Sequence, residues 1–404
     1  MRDIIEVQSY FDGEREVTKG PWLICREAGQ IVTIAHGSAG QNVIPPVFRQ
    51  EGVARKSAVF ASPGLVEAHA HFFLDGGMLD TAARADYLKS SAEQMLTTAR
   101  QNLAASLSAG ISLIRDAGDR YGINHQIRAY AAATDGNPRV RSPGLGLRRK
   151  GRYGSFMAYE VEHDNDIAPI VAQIAREGAN DCKILLTGII DFASGTVKGP
   201  PQFDIPALSS LIAAAHEHGL ATFAHCSGTS GLEVAAAAGV GSVEHGFFMT
   251  DDVLSMMAEK QIAWVPTFAP VHFQWSQPQW CGWDQTARDS MRRILDDHAR
   301  MLVKGHEKGV PIMVGSDAGS HGVPHGIGFI DEMLLMAKGG LPMNALLTAA
   351  TATPRQLWGE PAQRLQPGES PDIALFGDSP FTDPAALRHS AGLLLASAQS
   401  ETVP

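Results

Sequence analysis

The stretch Pro63-Gly64-Leu65-Val66-Glu67-Ala68-His69-Ala70-His71 decides the fold, because it joins an apolar run to two histidines separated by one residue. In a β-strand, side chains two residues apart point to the same face. Such a strand presents both imidazoles on one side, where they can bind one metal ion. The stretch therefore predicts a strand that ends in a metal site.

The chain downstream of this stretch repeats one pattern. Short apolar or β-branched runs alternate with alanine-rich helical patterns, which is typical of βα units built around a parallel sheet. Eight such units predict a closed (β/α)8 TIM barrel. The eight runs predicted to form strands are 63–71, 112–117, 139–144, 182–188, 221–226, 242–247, 262–268 and 311–318.

The two chain ends have a different pattern, with short alternating segments that are broken by Gly and Pro. We expect them to pair into one small β-sandwich domain beside the barrel. The predicted fold class is therefore α/β. Residues 1–59 and 361–404 are predicted to form the small β domain, and 60–360 the metal-dependent barrel.

Composition narrows the possible partners. Charged residues make up 19% of the 404 residues and the formal net charge is −10, so no basic surface for nucleic acid or anionic lipid is expected. No apolar run approaches the roughly 20 residues of a membrane span, and acidic residues near the start argue against a secretory signal. Four scattered cysteines are expected to be buried, reduced thiols. We expect a cytoplasmic homo-oligomer that acts on a small molecule, without nucleic-acid or membrane partners.

Six polar residues lie near the carboxyl ends of the predicted strands, the end at which (β/α)8 barrels carry their active sites. A buried lysine needs a partner or a modification, and a buried carboxylate needs a partner or a metal. Together the six form a far less accidental set than any one of them. They are His69, His71, Lys183, His225, His245 and Asp317.

A second His-x-His pair occurs at residues 216–218. It lies at a predicted helix end, where residues two apart diverge by about 200° around the axis. We therefore interpret this pair as an exposed helix terminus and not as a metal site.

The sequence around the six residues resembles the amidohydrolase superfamily, in particular its binuclear members with a lysine on strand four. Within it, the chain looks most like the imidazolonepropionase-related and Xaa-Pro dipeptidase-like amidohydrolases. The likeness covers nearly the whole chain. It rests on Lys183 and on Glu67-Ala68-His69-Ala70-His71, Ala224-His225, Glu244-His245-Gly246, Gly315-Ser316-Asp317, Arg115-Asp116-Ala117-Gly118 and Ala349-Ala350-Thr351-Ala352-Thr353-Pro354-Arg355.

The resemblance implies two divalent metal ions, with zinc as the expected metal. It implies that His69, His71 and Asp317 bind one ion. It further implies that His225 and His245 bind the other, and that Lys183 bridges the two as a carbamate formed with CO₂. The implied reaction is hydrolysis of an amide-type C–N bond in a dipeptide, N-acyl amino acid or related amide. In it, a hydroxide shared by the ions attacks and Asp317 moves the proton.

Loops after the strands are expected to bind the substrate. The segment 147–154 holds four cations and a tyrosine, and Arg149, Arg152 and Tyr153 are predicted to clamp a substrate carboxylate. A solvated basic loop is the alternative interpretation. Ser227 stands where related dipeptidases often have His or Tyr.

Two further histidines are predicted to contact the substrate. His272 belongs to the segment 271–283, which holds three of the six tryptophans and is predicted to form an apolar lid, with a subunit contact as the alternative. His325 follows Asp317 in a loop rich in Gly, and it is predicted to lie at the rim of the site.

Other functions remain open on the same fold. A mononuclear deaminase would generally place Glu three residues after the strand-five histidine, where this chain has Gly228, so the sequence counts against it. A lactonase or phosphotriesterase would use the same metal pair. A non-catalytic assembly protein is expected to have lost metal ligands, and none of the six is missing.

Overall fold

The computed structural model describes residues 2–37 and 44–396 and has mixed α and β structure. Its strands in this part of the chain are β1 Arg2–Val7, β2 Ser9–Phe11, β3 Glu16–Val17, β4 Trp22–Glu27, β5 Gln30–His36, β6 Ala54–Ser57, β7 Phe60–Pro63, β8 Leu65–Ala70, β9 Ile111–Asp116, β10 Arg139–Arg141, β11 Gly146–Arg149, β12 Ala158–Val161, β13 Asp181–Leu185, β14 Ile190–Asp191, β15 Thr196–Val197, β16 Ala221–Cys226, β17 Ser242–His245, β18 Ala263–Val265, β19 Ile373–Phe376 and β20 Ser390–Leu394. Its α-helices are α1 Thr81–Tyr87, α2 Ala92–Ser108, α3 Ile123–Ala133, α4 Ile167–Arg176, α5 Ile205–Glu217, α6 Thr229–Ala238, α7 Asp251–Lys260, α8 Phe268–Ser276, α9 Gln285–Lys308, α10 Ile327–Lys338, α11 Met343–Ala349 and α12 Ala352–Leu357.

The central strands form two parallel sheets, in the orders β10-β9-β8 and β12-β11-β13-β16-β17-β18. Every residue of β8 is buried, as expected for parallel strands with helices over the sheet. All the strand pairs in both sheets are parallel, so their carboxyl ends face one edge. The histidines predicted to bind metal lie at that edge.

Seven of the eight predicted runs contain strands. The eighth, 311–318, makes only isolated parallel bridges to β18 and to the end of β8. Its main chain nevertheless lies between these strands: Met313 N donates to Trp264 O at 2.9 Å, and Ala68 N donates to Val314 O at 2.9 Å. These bonds bring Asp317 beside the histidines of β8.

The structure corrects several predicted boundaries. Residues predicted as a basic loop begin as β11, which pairs with β12 on one side and β13 on the other. Residues 271–276 of the tryptophan-rich segment belong to α8, and the predicted helix 343–358 is split into α11 and α12. The long α9 was not predicted, although Asp284 caps its amino end and Gly309 adopts a left-handed conformation at its carboxyl end.

Strands from both ends of the chain share one sheet, in the order β20-β19-β7-β2-β3. Phe60–Pro63 pairs antiparallel with Ile373–Phe376. A second sheet, β5-β4-β1-β6, is built from the amino-terminal segment alone. Strand β7 leads within two residues into β8, so this region adjoins the strand that carries His69. The boundaries at 59/60 and 360/361 stay a prediction.

In the part of the chain that the structure describes, the cysteine prediction is confirmed for three of the four residues. All four cysteines are free; three are buried and Cys281 is half-buried. Among the described residues, no helix is both long and apolar enough to cross a membrane.

Candidate metal centre

Three side chains from two segments that are far apart in the sequence converge. The Oδ1 atom of Asp317 lies 3.6 Å from His69 Nε2 and 3.5 Å from His71 Nε2. Candidate ligand atoms of all three residues lie within 4.8 Å of one another. His69 lies in β8 and His71 directly follows this strand, and Asp317 N donates to His69 O at 2.8 Å. These three residues can hold one metal ion.

A second histidine pair lies beside the first. The ring centroids of His225 and His245 are 4.6 Å apart, and those of His245 and His69 are 5.2 Å apart. Neighbouring strands β16 and β17 carry them. The Nε2 atom of His225 is buried and has no hydrogen-bond partner among the described residues. An orphaned buried nitrogen of this kind is typical of a ligand whose metal is absent.

All four imidazoles share one arrangement, in which one ring nitrogen meets an oxygen acceptor and Nε2 is left for a metal. Such partners fix the tautomer and orient the ring, as around metal-bound histidines in general. The donor set therefore fits divalent metal. The partners are Glu244 Oε2 for His69 at 2.6 Å, Gly118 O for His71 at 3.2 Å, Thr267 Oγ1 for His245 at 2.8 Å, and the main chain of Gly188 for His225.

Lys183 lies in β13, which pairs with the strand β16 that carries His225, and it is 1% exposed. Its Nζ lies 4.7 Å from the centre of the Phe223 ring, and within the described ranges no acceptor is in hydrogen-bonding distance. Burial lowers the pKa of this ammonium from its ordinary value to about 8. An amine with that pKa is partly neutral near pH 8, which is the form that reacts with CO₂.

Burial also sets the charge of the other groups. It lowers the pKa of each of the four imidazoles, to about 3 for His71 and His225, so all four are neutral and able to bind metal at pH 7. Burial raises the pKa of Asp317 to about 6, while hydrogen bonding to Ser320 opposes the rise.

Sequence reasoning assigned no role to two buried carboxylates within the sequence motifs, Glu244 and Glu67. In the structure both form hydrogen bonds that position the segments of the candidate metal site. Glu244 accepts from Arg115 at 2.9 Å as well as from His69. Glu67 accepts from Ser316 Oγ at 2.5 Å and from His69 N at 3.0 Å, which joins β8 to the Asp317 segment. Their position inside apolar strands, where a carboxylate must have a partner, was the available sequence signal.

The six residues all line one cavity of about 740 Å³. Much of its wall is aromatic or aliphatic, including Phe192 on the β14–β15 hairpin and Trp283 before α9, whose rings meet edge to face at 5.6 Å. A cavity of this size, with an apolar wall beside a possible metal site, is typical of a small-molecule site.

The structure brings only one of the five residues predicted to bind substrate to this cavity. Tyr153 lines it, with its ring 5.3 Å from that of His225, and burial raises the pKa of its hydroxyl. Arg149 instead pairs with Asp164, and Arg152 donates to Pro200 O at 2.5 Å. Neither arginine lines the cavity.

The two predicted histidines also lie outside the lining. His272 packs against Trp275, with ring centroids 5.5 Å apart. His325 is 4% exposed and stacks on Phe72 at 5.4 Å. Among the described residues neither nitrogen of His325 has a hydrogen-bond partner.

Sequence comparison identifies the family of the chain and finds relatives of low identity. Residues 60–396 match the model described as Amidohydrolase family. An uncharacterized protein of Mycobacterium tuberculosis is 28% identical over 346 residues, which cover 84% of this chain and 86% of the relative. Ochratoxinase of Aspergillus niger is 23% identical over 251 residues, which cover 60% of this chain and 51% of ochratoxinase.

Solved structures share the fold over the whole chain. A Xaa-Pro dipeptidase with bound methionine in its active site matches with a TM-score of 0.80 and 21% identity, over 98% of this chain and all (100%) of the dipeptidase. The A. niger ochratoxinase structure matches with a TM-score of 0.78 and 19% identity, over 98% of this chain and 94% of ochratoxinase. Both likenesses establish a common fold.

Proposed function

The chain belongs to the amidohydrolase family, hydrolases that act on carbon–nitrogen bonds, and we propose that it is a binuclear metal hydrolase that cleaves the amide bond of a dipeptide or N-acyl amino acid. The arrangement of the four imidazoles carries this proposal. Each has an oxygen partner at one nitrogen and leaves Nε2 available beside Asp317 and Lys183. The name of the structural relative Xaa-Pro dipeptidase agrees with a dipeptide substrate.

The proposal includes a closed eight-stranded barrel beside a small β-sandwich domain. Support for closure comes from the main-chain bonds of the segment 311–318 to β18 and β8. On the other side of the site, Asn180 N donates to Ser142 O at 2.9 Å, between the ends of β10 and β13. Cytoplasmic location and a homo-oligomeric state stay predictions.

In the proposed site, one divalent ion would be held by His69, His71 and Asp317. A second ion would be held by His225 and His245. Lys183 would be a ligand of both ions. Zinc is the expected metal, because imidazole and carboxylate ligands suit it. For Lys183 to act as a ligand, its neutral nitrogen attacks the carbon of CO₂ and loses a proton to water, which leaves a carbamate of charge −1. When bound, the ions would supply Lewis acidity toward the carbonyl and a lowered pKa for water.

The residues of the chain would then guide the proton and the substrate. The Asp317 carboxylate takes a proton from the attacking water while the water oxygen bonds to the carbonyl carbon of the substrate. It returns the proton to the leaving nitrogen as the C–N bond breaks. The Tyr153 hydroxyl, which stays protonated because burial raises its pKa, can donate to the substrate carbonyl oxygen. The apolar wall excludes water from the rest of the cavity.

A substrate panel tests the proposed function. Zinc-loaded protein is assayed with dipeptides, N-acyl amino acids, a lactone, a phosphotriester and aminated nucleobases. We expect hydrolysis of the amides, and we expect His225→Asn to lower kcat by at least a hundredfold while the protein still unfolds cooperatively. Turnover of the lactone, phosphotriester or nucleobases without any amide hydrolysis would overturn the proposal in favour of those activities.

A further inference from the structure

We infer that Arg84 binds the free carboxylate of the substrate, so that the preferred substrates are N-acyl derivatives of bulky apolar amino acids with an unblocked carboxyl group. This inference rests on the proposed amide hydrolysis. Arg149 and Arg152 lie outside the cavity and cannot bind this carboxylate there, so the inference assigns the anion-binding role to Arg84.

Arg84 is a half-buried cation in the cavity wall. Its two amino groups donate to Asp75 O at 2.7 Å and to Gly319 O at 2.5 Å. In the described part of the chain, no carboxylate lies within ion-pair distance of the guanidinium. Asp75 and Asp317 act on this cation through longer-range charge and do not contact it directly. The rigid planar fork therefore remains suited to direct contact with a substrate carboxylate.

Arg84 lines the same cavity as Asp317 and bonds the loop that carries it. Its carbonyl partner Gly319 follows the proposed proton carrier Asp317 by two residues. The same loop has two other ties to the segment after β8: His321 Nε2 bonds Leu79 O at 2.8 Å, and Gly322 N donates to Gly76 O at 2.9 Å. Because these ties do not involve Arg84, the loop is expected to keep its place when the guanidinium is removed.

The cavity wall around Arg84 is apolar. This wall indicates which kind of substrate side chain lies next to the bound carboxylate. Phe73, Leu88 and Tyr121 line the cavity on this side. The rings of Phe73 and Tyr121 are 5.6 Å apart, and Tyr121 OH donates to Leu88 O at 3.1 Å. An aromatic or large aliphatic side chain would bury its surface there, whereas glycine would leave the wall exposed to water.

Another cation in the cavity wall, Lys198, is an alternative partner for the substrate carboxylate. Lys198 follows the β14–β15 hairpin and is exposed. An exposed, mobile ammonium binds an anion weakly because water competes and the side chain loses rotamer freedom. Arg84 is already immobilised and partly desolvated, so we assign the carboxylate to Arg84 and test Lys198 beside it.

The test compares three probes by the release of benzoate: N-benzoyl-L-phenylalanine, its C-terminal carboxamide, and N-benzoylglycine. We expect the wild type to prefer the free acid to the carboxamide, and the phenylalanine compound to the glycine compound, each by about tenfold or more in kcat/KM. Arg84→Met should lower kcat/KM for the free acid tenfold to a hundredfold, mainly through KM, and leave the carboxamide and the metal content unchanged.

Two variants serve as comparisons. Lys89→Met removes an exposed cation that lies just after the same helix and pairs with Asp86. This variant should not change kcat/KM for the free acid or for the carboxamide. Equal losses for acid and carboxamide in Arg84→Met would show a structural role and overturn the inference, as would loss of the preference in Lys198→Met alone. Hydrolysis of both probes with no preference in the wild type overturns the inference but leaves the proposed function. No release of benzoate from any probe, with other amides hydrolysed, also overturns only the inference.

Discussion

At the scale of single residues, the site depends on the groups that hold each imidazole as much as on the imidazoles. The histidines of β8 were predictable because a period of two in a strand brings side chains to one face. Their oxygen partners were not, because Glu244 and Thr267 reach the histidines across strands and loops that are distant in sequence.

Thr267 offers the most direct test of this idea. It is 1% exposed, and its Oγ1 lies 2.8 Å from His245 Nδ1. Thr267→Val keeps the shape but removes the acceptor, so His245 should lose its fixed tautomer. We predict a tenfold to hundredfold weaker affinity for one of the two ions, and a free energy of unfolding of the metal-free protein lower by about 1–3 kcal/mol.

Competition with a coloured chelator measures the affinity, and urea unfolding measures the stability. Thr348→Val, which removes a hydroxyl bonded to Asn344 O on an exposed helix surface, is the control. Unchanged affinity for both ions in Thr267→Val would contradict the positioning role.

At the scale of elements, α8 shows why parts of the site region escaped prediction. The segment 271–283, which overlaps α8, was predicted to be a loop after strand seven that forms an apolar lid. In the structure the buried Glu332 of α10 accepts from Phe268 N at 2.9 Å and from Ala269 N at 2.7 Å, which satisfies the first turn of α8. A cap from a side chain 64 residues away carries no local sequence signal. The same bonds hold Thr267, at φ 49°, beside His245.

This cap predicts a pH dependence of stability. Burial raises the pKa of Glu332 to about 8 from its ordinary value of 4.5. Above pH 4.5 the unfolded chain releases this proton while the folded protein keeps it. The contribution of Glu332 to stability is therefore complete below pH 4.5 and declines as pH rises toward 8. Glu332→Gln cannot titrate, so the stability of the wild type relative to this variant should fall between pH 5 and pH 8.

Urea unfolding of both proteins at intervals across that range measures the difference. Glu233→Gln, on the exposed face of α6, is the matched control and should run parallel to the wild type. A constant difference between the wild type and Glu332→Gln at every pH would contradict the raised pKa.

At the scale of the whole molecule, the alternation of strand and helix predicted the α/β class and seven of the strands. The eighth run was harder to read, because its residues join the sheet by isolated bridges and not as a regular ladder. The substrate residues were the least predictable. The basic segment 147–154 satisfies its charges locally, as in the pair of Arg148 and Glu160, and a sequence does not reveal which cations already have partners.

Convergence of residues from β8, β13, β16, β17 and the segment 311–318 predicts that metal stabilises the whole fold. A ligand at a thousand times its dissociation constant adds about 4 kcal/mol to the free energy of unfolding. For a chain of 404 residues, we therefore predict that chelation lowers Tm by about 5 °C. Calorimetry with and without chelator measures the shift, and added zinc should reverse it. An unchanged Tm after proven removal of metal would contradict the prediction.

Metal content tests the central claim most directly. Protein expressed with ample zinc and purified in bicarbonate buffer is analysed for bound metal per chain, together with Lys183→Ala and with Lys89→Met as a control. We predict close to two equivalents in the wild type and the control, and a loss of at least one in Lys183→Ala. One equivalent or none in the wild type, or two in Lys183→Ala, would contradict a binuclear site bridged by Lys183.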